Sequence, residues 1–204
     1  MEHKFISKYE ILFGSWLIGL SGWLNGIRNI EVFQPSVYDQ RNGIRVEGVD
    51  KEVFDEMVTN IKKDRPAFFA DFGKKFYGVS MMSHPVSQPF LDWNQSHCLM
   101  ASPKATVDCV RSFSETDFRQ DLTKINVPVL IIHGDADKTV PINVSGEKTA
   151  QLIPQSKYIV YEGAPHGLFV TEKDKLNADL LDFIKGSQTN RKSPELEQSY
   201  TNVL

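Results

Sequence analysis

Two loops in the C-terminal half of the chain hold residue types that can move a proton. The first, His133 to Pro141, reads HGDADKTVP; the second, Glu162 to Gly167, reads EGAPHG. A histidine delivered at the edge of a sheet acts as a general base when a carboxylate holds one ring nitrogen and leaves the other to take the proton. His166 is that histidine. The carboxylate would come from the first loop, which holds both Asp135 and Asp137. Each also has a plainer reading. An aspartate at this point can close its own turn by accepting nearby backbone N–H groups, and a loop histidine needs no task. Gly163, Pro165 and Gly167 fit a strained turn that holds the imidazole outward. A base of this kind implies a nucleophile for it to deprotonate.

The elements that must position these loops are legible around them. Val127 to Ile132, VPVLII, is a short continuous apolar run rich in β-branched residues, which predicts a strand covered on both faces, as in a parallel sheet. The stretch from Val144 to Ile153 predicts a helix. Tyr158 to Tyr161, YIVY, predicts a second strand. Glu172 to Lys185 predicts a closing helix with Leu176, Leu180, Phe183 and Ile184 on its apolar face. Strand, helix, strand, helix is an α/β arrangement. Loops that follow adjacent parallel strands emerge at one edge of the sheet, where ligands bind, so the two loops can meet.

Upstream, residues 48–120 read as helices. Val53, Met57 and Ile61 recur at helical spacing. Pro66 and Ser102-Pro103 mark two helix starts, because proline is tolerated in a first turn and serine caps one; Val107 and Val110 then face inward. Residues 1–47 combine an apolar run, Ile11 to Leu24, with an irregular connection. That run is fourteen residues long, short of the roughly twenty that span a bilayer. The preceding MEHKFISKYE mixes Glu2 and Glu10 with Lys4 and Lys8, unlike the basic start of a signal peptide. A buried packing segment is the reading adopted; contact with a membrane surface is the less favoured one. Residues 186–204 are polar and are expected to be a disordered tail.

Bulk properties exclude several classes. The 204 residues suit one sizeable core, and a net charge of −3 leaves no electrostatic footprint for nucleic acid. Cys98 and Cys109 make neither a disulfide framework nor a zinc pattern, and His84, His97 and Cys98 lack metal-ligand spacing. No metal is expected. Sequons stand at Asn94 and Asn143; a glycan at Asn143 would obstruct the chemistry proposed nearby, which points to a cytoplasmic location.

The combination VPVLIIHGDADKTVP…YEGAPHGLFVTEKDKLNADLLDFIK resembles the C-terminal part of the cofactor-free haloperoxidases, α/β-hydrolases also called non-haem chloroperoxidases and related to arylesterases and perhydrolases. SPKATVDCVRSFSETDFRQDL and DKEVFDEM fit the family's helical cap and return segment, so the likeness covers roughly residues 48–185. It implies an incomplete α/β-hydrolase fold: a helical cap over residues 48–120, then strand–helix–strand–helix over 121–185. The family's acid falls on Asp137 and its histidine on His166. The implied activity is that of a serine hydrolase acting on small esters. Halogenation follows from peracid formation, when peroxide attacks the acyl-serine, and neither haem nor metal is required. Phe68, Phe69, Phe72, Phe76 and Trp93 in the cap-like helices would line an acyl pocket or pack helix on helix. Phe169 is a candidate substrate contact. His133 is read as structural.

The family's serine sits in G-x-S-x-G, on a strand-to-helix elbow. No complete G-x-S-x-G occurs in this chain. The nearest approach is GLSGW, Gly19 to Trp23, which makes Ser21 a weak candidate nucleophile and Ser15 a weaker one. The family's early strands and oxyanion-hole loop have little room in residues 5–47. Two kinds of protein are therefore expected. One is a hydrolase of the haloperoxidase–esterase type. The other is a non-catalytic protein, either the product of a truncated or mis-joined gene or a degenerate relative that binds a partner through its exposed sheet edge and apolar N-terminus; a third possibility is one half of a split enzyme, with another chain supplying the serine.

Overall fold

A computed structural model of the chain describes residues 49–115, 119–125 and 127–189. The apolar run of residues 11–24, Ser15, Ser21 and the polar stretch beyond residue 189 lie outside the described residues.

Helices come first. Helix α1 spans Lys51–Lys63 and α2 Arg65–Phe76; Asp64 between them caps α2 through the Ala67 N–H, with Pro66 in its first turn. Helix α3, Gln88–Met100, starts the same way, with Ser87 as cap and Pro89 just inside. Helix α4 spans Pro103–Glu115, and the short α5 spans Arg119–Leu122. The buried stripe on α1 is Phe54, Val58 and Ile61, packed on Val107 and Val110 of α4, with Met57 partly buried beside it. Val53 is exposed, contrary to expectation. The stripe is rotated by one position because it includes Phe54, the largest apolar side chain of the first turn, and Val53 falls at its edge. The Arg65 guanidinium reaches from the start of α2 to the carbonyls of Cys98, Leu99 and Ala101 at the end of α3, tying the two helices together.

The second half is the expected strand–helix–strand–helix. Strand β1 is Leu130–Gly134 and strand β2 Lys157–Tyr161, parallel, with Leu130 opposite Lys157 and Gly134 opposite Tyr161. β1 starts three residues later than the apolar run, since Pro128 has no N–H to give a ladder, and it continues through His133. Its residues alternate between two cores. Leu130 and Ile132 meet Leu168 and the inner face of the closing helix, while Ile131 joins Val129, Leu122 and Ile153 on the other side. Burying each of these branched side chains is worth about 1.5–3 kcal/mol, so β1 is the centre of this half. Between the strands, the expected single helix is a 3₁₀ turn at Ile142–Val144 and then α6, Gly146–Leu152, separated by Ser145 at φ −137°. A one-turn helix α7, Leu168–Thr171, follows the second loop, and α8 runs Lys173–Thr189. Leu176, Leu180 and Phe183 of α8 pack on the sheet. The helix extends past residue 185, so the segment expected to be disordered from residue 186 begins as helix.

Among the described residues the sheet has two strands, and no helix is long and apolar enough to cross a membrane.

Candidate active site

The parallel pairing ends at Gly134 and Tyr161, and both loops leave from there side by side. Their backbones stay joined: the Asp135 N–H donates to the Tyr161 carbonyl and the Ala136 N–H to the Ala164 carbonyl, each at 3.2 Å. The exposed Asp135 carboxylate accepts the Gly163 N–H at 2.6 Å. Asp135 thus staples loop to loop across the turn that Gly163 makes at φ +70°. It does not reach His166.

Asp137 does. Its Oδ2 lies 2.7 Å from His166 Nδ1, and both groups are buried. The plainer reading of Asp137 also holds, on its other oxygen: Oδ1 accepts the N–H groups of Thr139 and Val140, each at 2.8 Å. One carboxylate closes the turn and holds the imidazole. Burial alone would push the Asp137 carboxyl up. Hydrogen bonding from His133 and His166, the charge of His166 and the Val140 N–H outweigh it and hold the group well below the usual carboxylate range. An ionised Asp137 accepts only, so His166 carries its proton on Nδ1 and leaves Nε2 as the basic nitrogen.

The imidazole is not held outward. It is buried, with the ring of Phe76 packed edge-on at 4.6 Å between centroids. Phe76 ends α2, and its carbonyl accepts the Gly167 N–H at 2.8 Å. A side chain at position 167 would run into Tyr77, whose Cδ1 would sit 2.4 Å from the added carbon. The end of α2 and Tyr77 beyond it therefore press directly on the histidine turn, a contact that no spacing in the sequence announces. Phe169 packs against Phe76 and Tyr77. Phe68 and Phe72 stack on α2, and Trp93 is half-exposed against Phe90 and His97. Of these aromatic candidates Phe76 packs its ring on His166.

His84, His97 and Cys98 form no metal-binding cluster of three among the described residues. Asn94 is buried and accepts the Tyr77 hydroxyl at 3.2 Å, so in this fold it has no room for a glycan.

Tyr77 gives a test of this contact. Burial, helped by Cys98, pushes its phenol up to about 12. A raised folded value means that the neutral form is the one the fold holds. Its contribution is complete below the unfolded value near 10 and is lost as pH climbs from about 10 to 12. Urea unfolding of Tyr77→Phe between pH 9 and 11.5 is expected to show a shallower alkaline decline than the parent chain. An unchanged slope would mean that the phenol is not buried at this contact.

Residues 101–173 match a family model described as alpha/beta hydrolase fold. The chain is 43% identical over 141 residues to a bifunctional esterase/perhydrolase from Acinetobacter calcoaceticus, covering 68% of this chain and 51% of that protein. It is 36% identical over 140 residues to a non-heme chloroperoxidase from Kitasatospora aureofaciens, with the same coverage. Among solved structures it is similar to a bromoperoxidase from Bacillus anthracis, with TM-score 0.68 and 41% identity over 74% of this chain and 54% of that one. An esterase from Exiguobacterium antarcticum gives TM-score 0.63 and 29% identity, covering 73% and 53%. The chain spans about half the length of the curated relatives it matches.

Proposed function

From a chain whose matching 68% is the C-terminal part of an α/β-hydrolase fold, we propose that Asp137 and His166 are the acid and base of a serine-hydrolase reaction on small esters. The observation that carries this reading is the 2.7 Å contact between Asp137 Oδ2 and His166 Nδ1, made by loops after two parallel strands. His166 Nε2 takes the proton of a serine hydroxyl as its oxygen attacks the ester carbonyl. The imidazolium, stabilised by Asp137, returns the proton to the departing alcohol and leaves an acyl-serine. Water then releases the acid; hydrogen peroxide in its place would release a peracid. Ser21, in GLSGW, is the candidate nucleophile. The reaction asks for no metal or cofactor. A cytoplasmic location fits the free thiols of Cys98 and Cys109 and the buried sequon at Asn94.

One observation favours a second reading. The sequence holds no complete G-x-S-x-G, and an acid and base without a nucleophile describe a non-catalytic relative, or a chain that works with a serine from another polypeptide. A fluorophosphonate probe separates the two when applied to the purified chain beside His166→Ala and Ser21→Ala. The hydrolase reading expects labelling that disappears with His166. Its further loss in Ser21→Ala would assign the nucleophile. A folded chain that takes no label supports the second reading.

A further inference from the structure

We infer that His133 is a positioning residue for the acid of this site: a neutral imidazole whose Nε2–H shares Asp137 Oδ2 with His166. The inference rests on the hydrolase reading above and adds a third side chain to it. Three observations carry it. His133 is fully buried, and its Nε2 lies 3.0 Å from the Val140 carbonyl oxygen and 3.2 Å from Asp137 Oδ2. Both oxygens only accept, since Asp137 is held ionised, so this nitrogen must carry the proton. The other nitrogen, Nδ1, is buried without a hydrogen-bond partner. A bare lone pair is a cheaper thing to bury than an orphaned N–H, and far cheaper than a charge. Nδ1 faces Gly146, where an added carbon would sit 2.5 Å away. The pocket therefore has room for the Nε2–H tautomer and no acceptor for a second proton.

The two histidines are thus of opposite tautomer on one oxygen: His166 gives Nδ1–H and keeps Nε2 basic, while His133 gives Nε2–H and keeps Nδ1 idle. The second donor does two things. It fixes the carboxylate from the strand side, since His133 sits on β1 and cannot move without the sheet. It also takes part of the charge on Oδ2, which weakens that oxygen as an acceptor for His166. Val140 links the two ends: its N–H donates to Oδ1 and its carbonyl accepts from His133 Nε2.

The test is nuclear magnetic resonance of the full chain, labelled with nitrogen-15 at histidine. The parent is expected to show His133 as the Nε2–H tautomer and His166 as the Nδ1–H tautomer, with the His166 proton far downfield. His133→Leu, which removes the donor, is expected to move the His166 proton further downfield, because Oδ2 then serves one imidazole. His133→Gln places an amide N–H near the same spot and is expected to restore the parent position. A His166 proton that moves equally in both variants, moves upfield, or stays put in His133→Leu overturns the inference, as does a His133 protonated on Nδ1. If the parent and Asp137→Asn show the same His166 signal, the acid–base pair itself is absent and the hydrolase reading falls with it. A His166 that senses Asp137 but ignores His133 overturns the inference alone. Should His133→Leu fail to fold, the tautomer of His133 in the parent still decides.

Discussion

Replacing Asp137 by asparagine is expected to cost the fold about 3 kcal/mol and to lower any reaction that depends on His166 by about 10⁴-fold. The carboxylate has donors on both oxygens: two backbone N–H groups on Oδ1, and the facing nitrogens of His166 and His133 on Oδ2. Asparagine can keep Oδ1 as oxygen, but it then turns an NH₂ group toward two ring N–H groups. Donors meet donors in a buried place. His166 can relieve this only by moving its proton to Nε2, which removes the lone pair that a base needs. Rotating the amide instead aims NH₂ at the N–H groups of Thr139 and Val140 and opens the turn. Urea unfolding and probe labelling read the two effects separately. The pH dependence supplies a check on cause. A folded carboxyl held below its ordinary value contributes its full share above the unfolded value near 3.9, and the share is lost as pH falls through the folded value. The variant should therefore show a flatter acid limb below about pH 4. Equal stability of the two chains at pH 7 would mean that the carboxylate is not the hub of the site.

What the sequence made legible follows from where the signals were local. A β-branched run next to HGD, and a second short run next to GAPHG, each state a strand and its loop within a few residues, and a parallel pair puts both loops at one edge. That a first-loop carboxylate would meet His166 was readable for that reason. The roles of the neighbours were not, because they depend on distances between elements. Asp135 and Asp137 are two residues apart and chemically identical; only the strand register decides that Asp135 meets Gly163 and Asp137 meets His166. His133 looked like scaffold, yet its place four residues before Asp137 lets a strand residue reach that carboxylate across a turn. Phe76 closes on His166 from a helix ninety residues away, which periodicity along α2 cannot foretell. On α1 the same limit shows in reverse: Val53 has the right spacing, but α4 selects the stripe that contains Phe54.

Gly134→Ala is expected to destabilise the fold by about 3 kcal/mol or more, at the upper end of what added carbon costs in a packed place. A Cβ built on Gly134 would lie 2.1 Å from the Ala164 carbonyl oxygen and 2.7 Å from its carbon. The atoms it meets are backbone, so no rotamer change relieves the overlap. They are also tied in place, since Ala164 O accepts the Ala136 N–H and Tyr161 O the Asp135 N–H. The two loops must part, and parting them breaks hydrogen bonds worth about 1 kcal/mol each. It also pulls Asp137 from His166, so the downfield His166 proton should vanish along with any His166-dependent labelling. Gly163→Ala is the control in the opposite loop. Its added carbon would have nothing within 4 Å, and only the φ of +70° opposes it, a strain of about 1–2 kcal/mol. That variant should lose some stability and keep the His166 signal. If the two substitutions cost the same and leave the signal alike, close approach of the loops is not what brings Asp137 to His166. If they differ as expected, the lack of a side chain at Gly134 is what allows one strand end to deliver a carboxylate to the other strand's histidine.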